Sequence, residues 1–241
     1  MRIHFIVHES FESPGAIKAW AENNNLNISY THLYKGEKLP ASVNDFDCLV
    51  IMGGPQSPAT TKQEYPHFDA PKEIAFIKEA ILSEKYVLGV CLGAQLIGEA
   101  LGAKFDHSPH REIGLFDVEL TDEGKEDPIF SQFPSTFSVG HWHGDMPGLT
   151  PESQVLAYSK GCPRQVIRYT PKVYGFQCHF EFTPEAIEGM ITHCNDELEE
   201  YKALPYIQSA EVLRKNDYTP VNQKLFLFLD AMKSDFESSK A

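Results

Sequence analysis

Tyr86-Val87-Leu88-Gly89-Val90-Cys91-Leu92-Gly93-Ala94-Gln95 is the stretch from which the rest of the chain is best read. Tyr86 to Val90 is an apolar run of strand length, and Leu92 to Leu101 follows at once with the character of a buried helix. Cys91 stands at the corner, with a glycine two residues to either side. This is the thiol counterpart of the G-x-S-x-G nucleophile elbow, where a sharp strand-to-helix turn lifts a nucleophile above a sheet. The flanking glycines let backbones pass closely, and a helix N-terminus beneath the thiol favours thiolate. The N–H of Leu92 then points to where an oxyanion would develop. A tight turn around a buried cysteine would read the same way in isolation, so the elbow needs partners.

Outward from the elbow, strands and helices alternate. Arg2 to Val7 is a short β-rich run, Pro14 to Asn24 has helical spacing, and Asn27 to Leu33 alternates like a strand. Asp47 to Met52 is a buried strand stopped by Gly53-Gly54-Pro55, and Ala70 to Glu84 is helical through Ile74, Ile77 and Ile81. Such alternation predicts an α/β fold with a mostly parallel central sheet covered on both faces. The middle third differs. Glu112–Thr121, Thr136–Val139, Val155–Tyr158, Gln165–Tyr169 and Val173–His179 are short strands without helices between them, as in an added antiparallel layer. From Thr183, an N-cap followed by Pro184, the chain is helical to about Leu204. Gln223 to Phe236 is a final helix, and Glu237 to Ala241 reads as a tail.

Composition narrows the function. The 241 residues carry 21 Lys and Arg against 34 Asp and Glu, a formal charge of −13. That balance disfavours nucleic acid and anionic membranes, both of which select basic surfaces. No apolar run approaches the ~18–20 residues of a membrane span, and Ile3 to Val7 is too short for a signal core. The five cysteines are odd in number, widely spaced and free of any C-x-x-C pair. A reduced, cytoplasmic protein is the expectation.

A cysteine nucleophile needs a base, and the base an orienting group. Among ten histidines, His179 stands in Phe176-Gln177-Cys178-His179-Phe180-Glu181. At a strand end, positions i and i+2 share a face, so Glu181 can hold the imidazole while Cys178 points to the core. Cys91, His179 and Glu181 thus form a candidate triad.

Gly53-Gly54-Pro55, Gly89 to Gln95 and Gly175 to Glu181 together resemble the class I glutamine amidotransferase superfamily, in particular free-standing members related to the glutaminase portion of GMP synthase. The resemblance covers roughly residues 40–190. It implies a flavodoxin-like three-layer α/β sandwich, with residues 1–195 as the amidotransferase-like domain and 196–241 as a helical extension packed on it. It implies Cys91 as nucleophile, His179 as general acid and base, and Glu181 as its orienter. The backbone N–H of Gly54 joins that of Leu92 as an oxyanion donor, and Gln95 contacts the substrate. Trp142-His143-Gly144-Asp145 resembles a family loop that meets the substrate's α-amino and α-carboxylate end. One departure is Phe180, where the GMP synthase pattern has proline, and the change is expected to loosen the strand end.

The implied reaction is hydrolysis of the side-chain amide of glutamine, or of a related γ-glutamyl amide, through a γ-glutamyl thioester. No cofactor is expected. There is no G-x-x-x-x-G-K-[ST] loop, so an acceptor or synthetase is expected on a separate chain. Without an acceptor the protein would be a γ-glutamyl peptide hydrolase. A catalytically silent binding module on the same fold is the non-enzyme alternative, against which the intact triad stands.

Two other clusters compete. His141-Trp142-His143-Gly144-Asp145 spells H-x-H-x-D, the opening of a metallo-β-lactamase-type motif. Met146 stands where that motif continues with histidine, so a pocket-lining segment without metal is favoured. His107, His110 and Arg111 read as a solvated loop, alternatively as a rim reading the substrate's far end. The acidic run Asp196 to Glu200 reads as an exposed helix face.

Overall fold

The buried apolar runs become neighbouring strands of one sheet in the computed structural model, which describes residues 1–240. The strands are β1 (Arg2–Val7), β2 (Asn27–His32), β3 (Cys48–Ile51), β4 (Tyr86–Val90), β5 (Asp106–Leu120), β6 (Thr136–Met146), β7 (Gln154–Ser159), β8 (Val166–Thr170) and β9 (Val173–Phe176). The helices are α1 (Gly15–Asn23), α2 (Ala70–Leu82), α3 (Leu92–Ala100), α4 (Asp122–Glu126), α5 (Pro184–His193), α6 (Asn195–Tyr201), α7 (Ala210–Lys215) and α8 (Thr219–Ser238).

Among the described residues the strand order is β2-β1-β3-β4-β9-β8-β7-β5-β6. The first five run parallel, and the last four continue the same sheet in antiparallel pairs. With helices on both faces this is the expected flavodoxin-like α/β sandwich, the antiparallel strands extending its sheet.

Alternating side chains supply both faces. Phe5, Val7, Leu88 and Val90 pack with Ile17 and Trp20 of α1 and with Leu225 and Phe228 of α8. Ile6, Leu49, Ile51 and Val87 pack with Phe76 and Ile77 of α2 and with Leu96 and Ile97 of α3. Burying one such side chain is worth about 1.5–3 kcal/mol, which is why these strands are apolar along their length. Over the antiparallel wing, Met190 of α5, Leu198 of α6 and Leu213 of α7 gather with Ile113 and Trp142.

The structure corrects several boundaries. β5 begins at Asp106 rather than Glu112, so His107, His110 and Arg111 lie on a strand and not in a loop. Its register slips between His107 and Glu112, and that irregularity hides the alternation from the sequence. β6 likewise runs on to Met146, so Trp142 to Asp145 are strand residues opposite β5. β9 stops at Phe176, and the long helix after Thr183 breaks at Cys194 into α5 and α6. α8 starts at Thr219, with Pro220 in its first turn, and includes Glu237 and Ser238 of the supposed tail. Ala241 lies outside the described residues.

His8, Gly53 and Cys91 follow the ends of β1, β3 and β4 closely. These carboxyl ends of parallel strands are where open α/β sheets hold their ligands.

Candidate active site

Cys91 has φ 51° and ψ −109°, a left-handed conformation that few residues with a β-carbon adopt. Such strain persists only where the surroundings impose it. Cys91 N donates to Phe176 O at 2.7 Å. A Cβ on Gly93 would lie 2.1 Å from Ile51 O, and one on Gly89 would lie 2.4 Å from the Gly93 carbonyl carbon. Only glycine lets α3 press so closely on β3 and β4. Leu92 is the first residue of α3, where backbone N–H groups lack intrahelical acceptors.

The Cys91 thiol donates to Trp142 O at 3.8 Å, and Gln177 Nε2 donates to Sγ at 3.4 Å. The Leu92 N–H at the helix N-terminus lowers the thiol pKa, as the sequence suggested, but does not prevail. Burial nonetheless holds it above its ordinary value, the neighbouring His179 opposing this only in part.

Beyond Phe176 the chain leaves β8 to bridge β6. His179 N donates to Gly140 O at 2.8 Å, and Gly140 N donates back to His179 O at 3.0 Å. The imidazole stacks on Phe182 with ring centres 4.1 Å apart and 9° between the planes. Its Nδ1 lies 2.7 Å from Glu181 Oε1, while its buried Nε2 has no hydrogen-bond partner. Burial disfavours a charged ring, yet Glu181 and the neighbouring Cys91 hold His179 well above the ordinary histidine range.

The loosening expected from Phe180 does not occur. Phe180 is buried against Phe176 and Phe137, and Asn222 Nδ2 of α8 donates to Phe180 O at 2.8 Å and to Phe182 O at 3.0 Å. Ala16 N, opening α1, donates to Glu181 O at 2.9 Å. Two helices therefore clamp the segment that a proline would have stiffened.

Cys91, Gly54, Gln95, Trp142, His143 and Asp145 line one cavity of about 190 Å³. His179, Glu181 and Leu92 are buried and do not line it. Gln95 Nε2 donates to Gln177 Oε1 at 3.1 Å, which leaves Gln95 Oε1 without a partner. Asp145 Oδ1 lies 2.6 Å from His107 Nδ1.

His141 and His143 meet Glu112 beneath this wall. His143 Nε2 is 3.4 Å from both His141 Nδ1 and Glu112 Oε2, and the ligand atoms of the three residues lie within 4.8 Å of one another. That spacing suits a metal, but hydrogen bonds already engage the carboxylate. Gln165 Nε2 donates to Glu112 Oε2 at 2.6 Å, and Ser159 Oγ donates to Glu112 at 2.8 Å. Burial lowers His141 to about 3, so its ring is neutral near pH 7. Burial would raise Glu112, yet hydrogen bonds from its neighbours, His143 and Ser159 among them, hold it below the ordinary carboxylate value. The cluster ties β5, β6, β7 and the residue before β8 together under Trp142 and Asp145.

Several residues at the site escaped the sequence reading. Gln177 was findable, since it stands two residues before His179 on the alternating face. His8 places Nδ1 3.0 Å from Gly53 O and Nε2 2.8 Å from Glu73 Oε2, fixing the turn that carries Gly54. Glu12 lines the cavity. Its Oε2 would lie 2.4 Å from a Cβ on Gly53, and that Cβ would lie 3.4 Å from Cys91 Cβ. Burial pushes Glu12 up to about 7 despite the attraction of His179. Arg111 and Glu197 also line the cavity and pair with each other, and Trp142 Nε1 donates to Glu197 Oε2 at 2.8 Å. Of the acidic run expected to face solvent, Glu197 turns inward.

Comparison with known proteins shows the family. A family model described as Glutamine amidotransferase class-I matches residues 17–194. The glutamine amidotransferase-like protein YfeJ of Salmonella typhimurium is 50% identical over 232 residues, covering 96% of this chain and 97% of that one. A glutamine-hydrolyzing GMP synthase subunit of Methanococcus maripaludis is 29% identical over 159 residues, or 63% of this chain and 76% of that one. The crystal structure of SMU.1228c, 51% identical, superposes with a TM-score of 0.94 over 97% of this chain and 100% of that one.

Proposed function

The chain belongs to the class I glutamine amidotransferase family, and from that premise we propose that it hydrolyses the side-chain amide of glutamine or a related γ-glutamyl amide. Cys91 is the nucleophile, His179 the general acid and base, and Glu181 its orienter. The observation that carries this reading is the unpartnered Nε2 of His179, a ring whose Nδ1 is held 2.7 Å from Glu181.

Cys91 Sγ gives its proton to His179 Nε2 and attacks the amide carbon. The negative oxygen is received by the N–H groups of Gly54 and Leu92. His179 then protonates the nitrogen, ammonia leaves, and a γ-glutamyl thioester remains. Water, deprotonated by His179, attacks the thioester, releasing glutamate and restoring the thiol. Sum: amide plus water gives carboxylate plus ammonium. Acid–base assistance of this kind contributes about 10²–10⁴ in rate, and each oxyanion donor about 10²–10³. Gln95 offers its free Oε1 to the substrate, and Trp142, His143 and Asp145 form the wall along its α-carbon end. No metal or cofactor enters these steps.

A second reading, cleavage of a γ-glutamyl peptide, is favoured by Gln56. It lines the cavity beside Gly54, and its buried Oε1 is free to accept the N–H of a substituted amide. A separate acceptor chain is a proposed partner, in keeping with the relative named as one subunit of GMP synthase. We place the reaction in the cytoplasm, where the five free cysteines stay reduced. Residues 1–195 form the proposed catalytic domain, and the extension 196–241 supplies Glu197 and Asn222.

The test is a substrate screen of glutamine against γ-glutamyl peptides, with and without cell extract, alongside labelling by a glutamine-like chloroketone. Labelling at Cys91 and not at Cys48, Cys162, Cys178 or Cys194, lost in Cys91→Ala, supports the reading. Absence of both turnover and labelling favours a silent binding module. Turnover only with a co-purifying chain assigns a split amidotransferase.

A further inference from the structure

The backbone step from Gly53 to Gly54 runs between Cys91 and His8. A Cβ on Gly53 would lie 3.4 Å from Cys91 Cβ, and one on Gly54 would lie 3.2 Å from His8 Cβ. On the His8 side, Nδ1 is 3.0 Å from Gly53 O. The other ring nitrogen, Nε2, is 2.8 Å from Oε2 of Glu73 on α2. The His8 side chain is 0% exposed and that of Glu73 is 1% exposed. Glu73 Oε1 is buried without a partner, so among the described residues His8 alone hydrogen-bonds the carboxylate. A buried ion pair adds little net stability, and well-packed apolar residues in its place are often as good or better. Stability alone therefore does not account for the pair.

The partners set the protons of the ring. A carbonyl oxygen only accepts, so Nδ1 carries a proton and donates to Gly53 O. A carboxylate also only accepts, so Nε2 donates to Glu73 and the ring is the imidazolium. Burial disfavours that charge, yet Glu73 and the contact with Gly53 hold His8 above its ordinary value. Glu12, the other acidic group that faces the ring, acts in the same direction. A neutral ring beside Glu73 would keep its one proton on Nε2 and lose the donor that holds Gly53 O.

The peptide plane carries this contact to the reaction. Across a trans peptide the carbonyl and the N–H point in opposite directions. With Gly53 O turned to His8, the N–H of Gly54 is turned the other way, towards the Cys91 side. Among the described residues no backbone carbonyl accepts from it. Glycine on both sides of the bond lets this peptide rotate at small cost, so its orientation has to be held.

Resting on the hydrolase reading above, we infer that His8 and Glu73 form a positioning dyad for the oxyanion hole, aiming the Gly54 N–H through the carbonyl of Gly53. Glu73 secures the second ring proton, and the charged ring polarises the peptide, which strengthens its N–H as a donor. Two His–Glu pairs thus have separate tasks. His179 and Glu181 serve proton transfer, whereas His8 and Glu73 transfer none and hold a backbone donor in place.

Two substitutions divide the contacts of the ring. The amide of His8→Asn reaches as far as Nδ1 and keeps a donor for Gly53 O, but leaves Glu73 without a partner. The amide of His8→Gln reaches as far as Nε2 and keeps Glu73, but abandons Gly53 O. Activity and stability should therefore run in opposite orders. His8→Gln should lower kcat for glutamine by about 10²–10³ with KM within about threefold, the mark of a donor used only in the transition state. His8→Asn should keep kcat within about tenfold of the wild type while unfolding at lower urea than His8→Gln. Equal kcat in the two variants, kcat that follows the urea midpoints, or a loss that appears in KM overturns the proposal.

A structural arm needs no turnover and so separates this inference from the hydrolase reading. Crystal structures of the wild type and His8→Gln are compared at the Gly53–Gly54 peptide. A peptide turned in the variant, its Gly54 N–H facing away from Cys91, supports the dyad even if glutamine is not hydrolysed. The same orientation in both overturns it. If His8→Gln does not fold, nitrogen NMR of the wild type with isotopically labelled histidine near neutral pH decides. Protons on both nitrogens of His8 support the dyad, and an unprotonated Nδ1 overturns it.

Discussion

His179 and Glu181 face each other across 2.7 Å, both buried, with the far nitrogen of the imidazole free of any hydrogen-bond partner. Glu181→Gln keeps the shape of this contact and removes its charge. Turnover of glutamine should fall by about 10²–10⁴, measured as kcat by glutamate release. The raised pKa of His179 adds stability that is complete below the unfolded value and disappears as pH rises through the folded one. Urea unfolding at a series of pH values should therefore show Glu181→Gln losing part of the wild-type decline above pH 6.5, the ordinary histidine value.

Glu12 shifts stability with pH in the same direction from a different cause, because burial penalises its charged form. Its folded pKa is about 7 against an ordinary 4.5, so the folded state binds more protons than the unfolded chain between those values. Wild-type stability should fall across that window by an amount of order 3 kcal/mol. Glu12→Gln should abolish that part of the decline and exceed the wild type in stability at pH 8, read from urea midpoints. Parallel pH curves for the two proteins would reject the assignment.

Asn222 acts on the site from α8. Asn222→Ala removes both donors to the carbonyls flanking Glu181 and should cost about 1–3 kcal/mol of stability. Because that clamp keeps His179 bridged to Gly140, kcat should fall while KM for glutamine stays near the wild-type value. Steady-state kinetics beside urea denaturation check both parts.

The Glu112–His141–His143 cluster is held by hydrogen bonds in our reading. Protein purified without an affinity tag should contain well under one equivalent of zinc by elemental analysis, and chelators should leave turnover unchanged. Glu112→Gln should lower stability by about 1–3 kcal/mol, since it disturbs a buried and satisfied network. Stoichiometric zinc removable only with loss of activity would assign the cluster to a metal.

The parallel half was legible because strands buried on both faces, such as β3 and β4, must be apolar throughout. Tyr86–Val90 is found at its expected bounds. Cys91, His179 and Glu181 were legible for a related reason: the elbow needs glycines at fixed offsets, and i, i+2 spacing puts His179 beside Glu181. The antiparallel wing was harder. The slip between His107 and Glu112 breaks the two-residue period, so Arg111 looked like loop. Glu197 was hidden differently, because an acidic residue beside Asp196, Glu199 and Glu200 carries no mark of the one that turns inward. Nor could local sequence reveal the thiol's raised pKa, which follows from how much of the chain closes over it.

The left-handed backbone of Cys91 sets a conflict between folding and chemistry at a single position. Glycine would relax that conformation, which costs a residue with a β-carbon about 1–3 kcal/mol. Cys91→Gly should therefore melt above Cys91→Ala, though both are inert. A lineage that lost its use for the thiol would be drawn towards glycine at this corner by stability alone. Cysteine is retained there against that drift only while something selects for its sulfur.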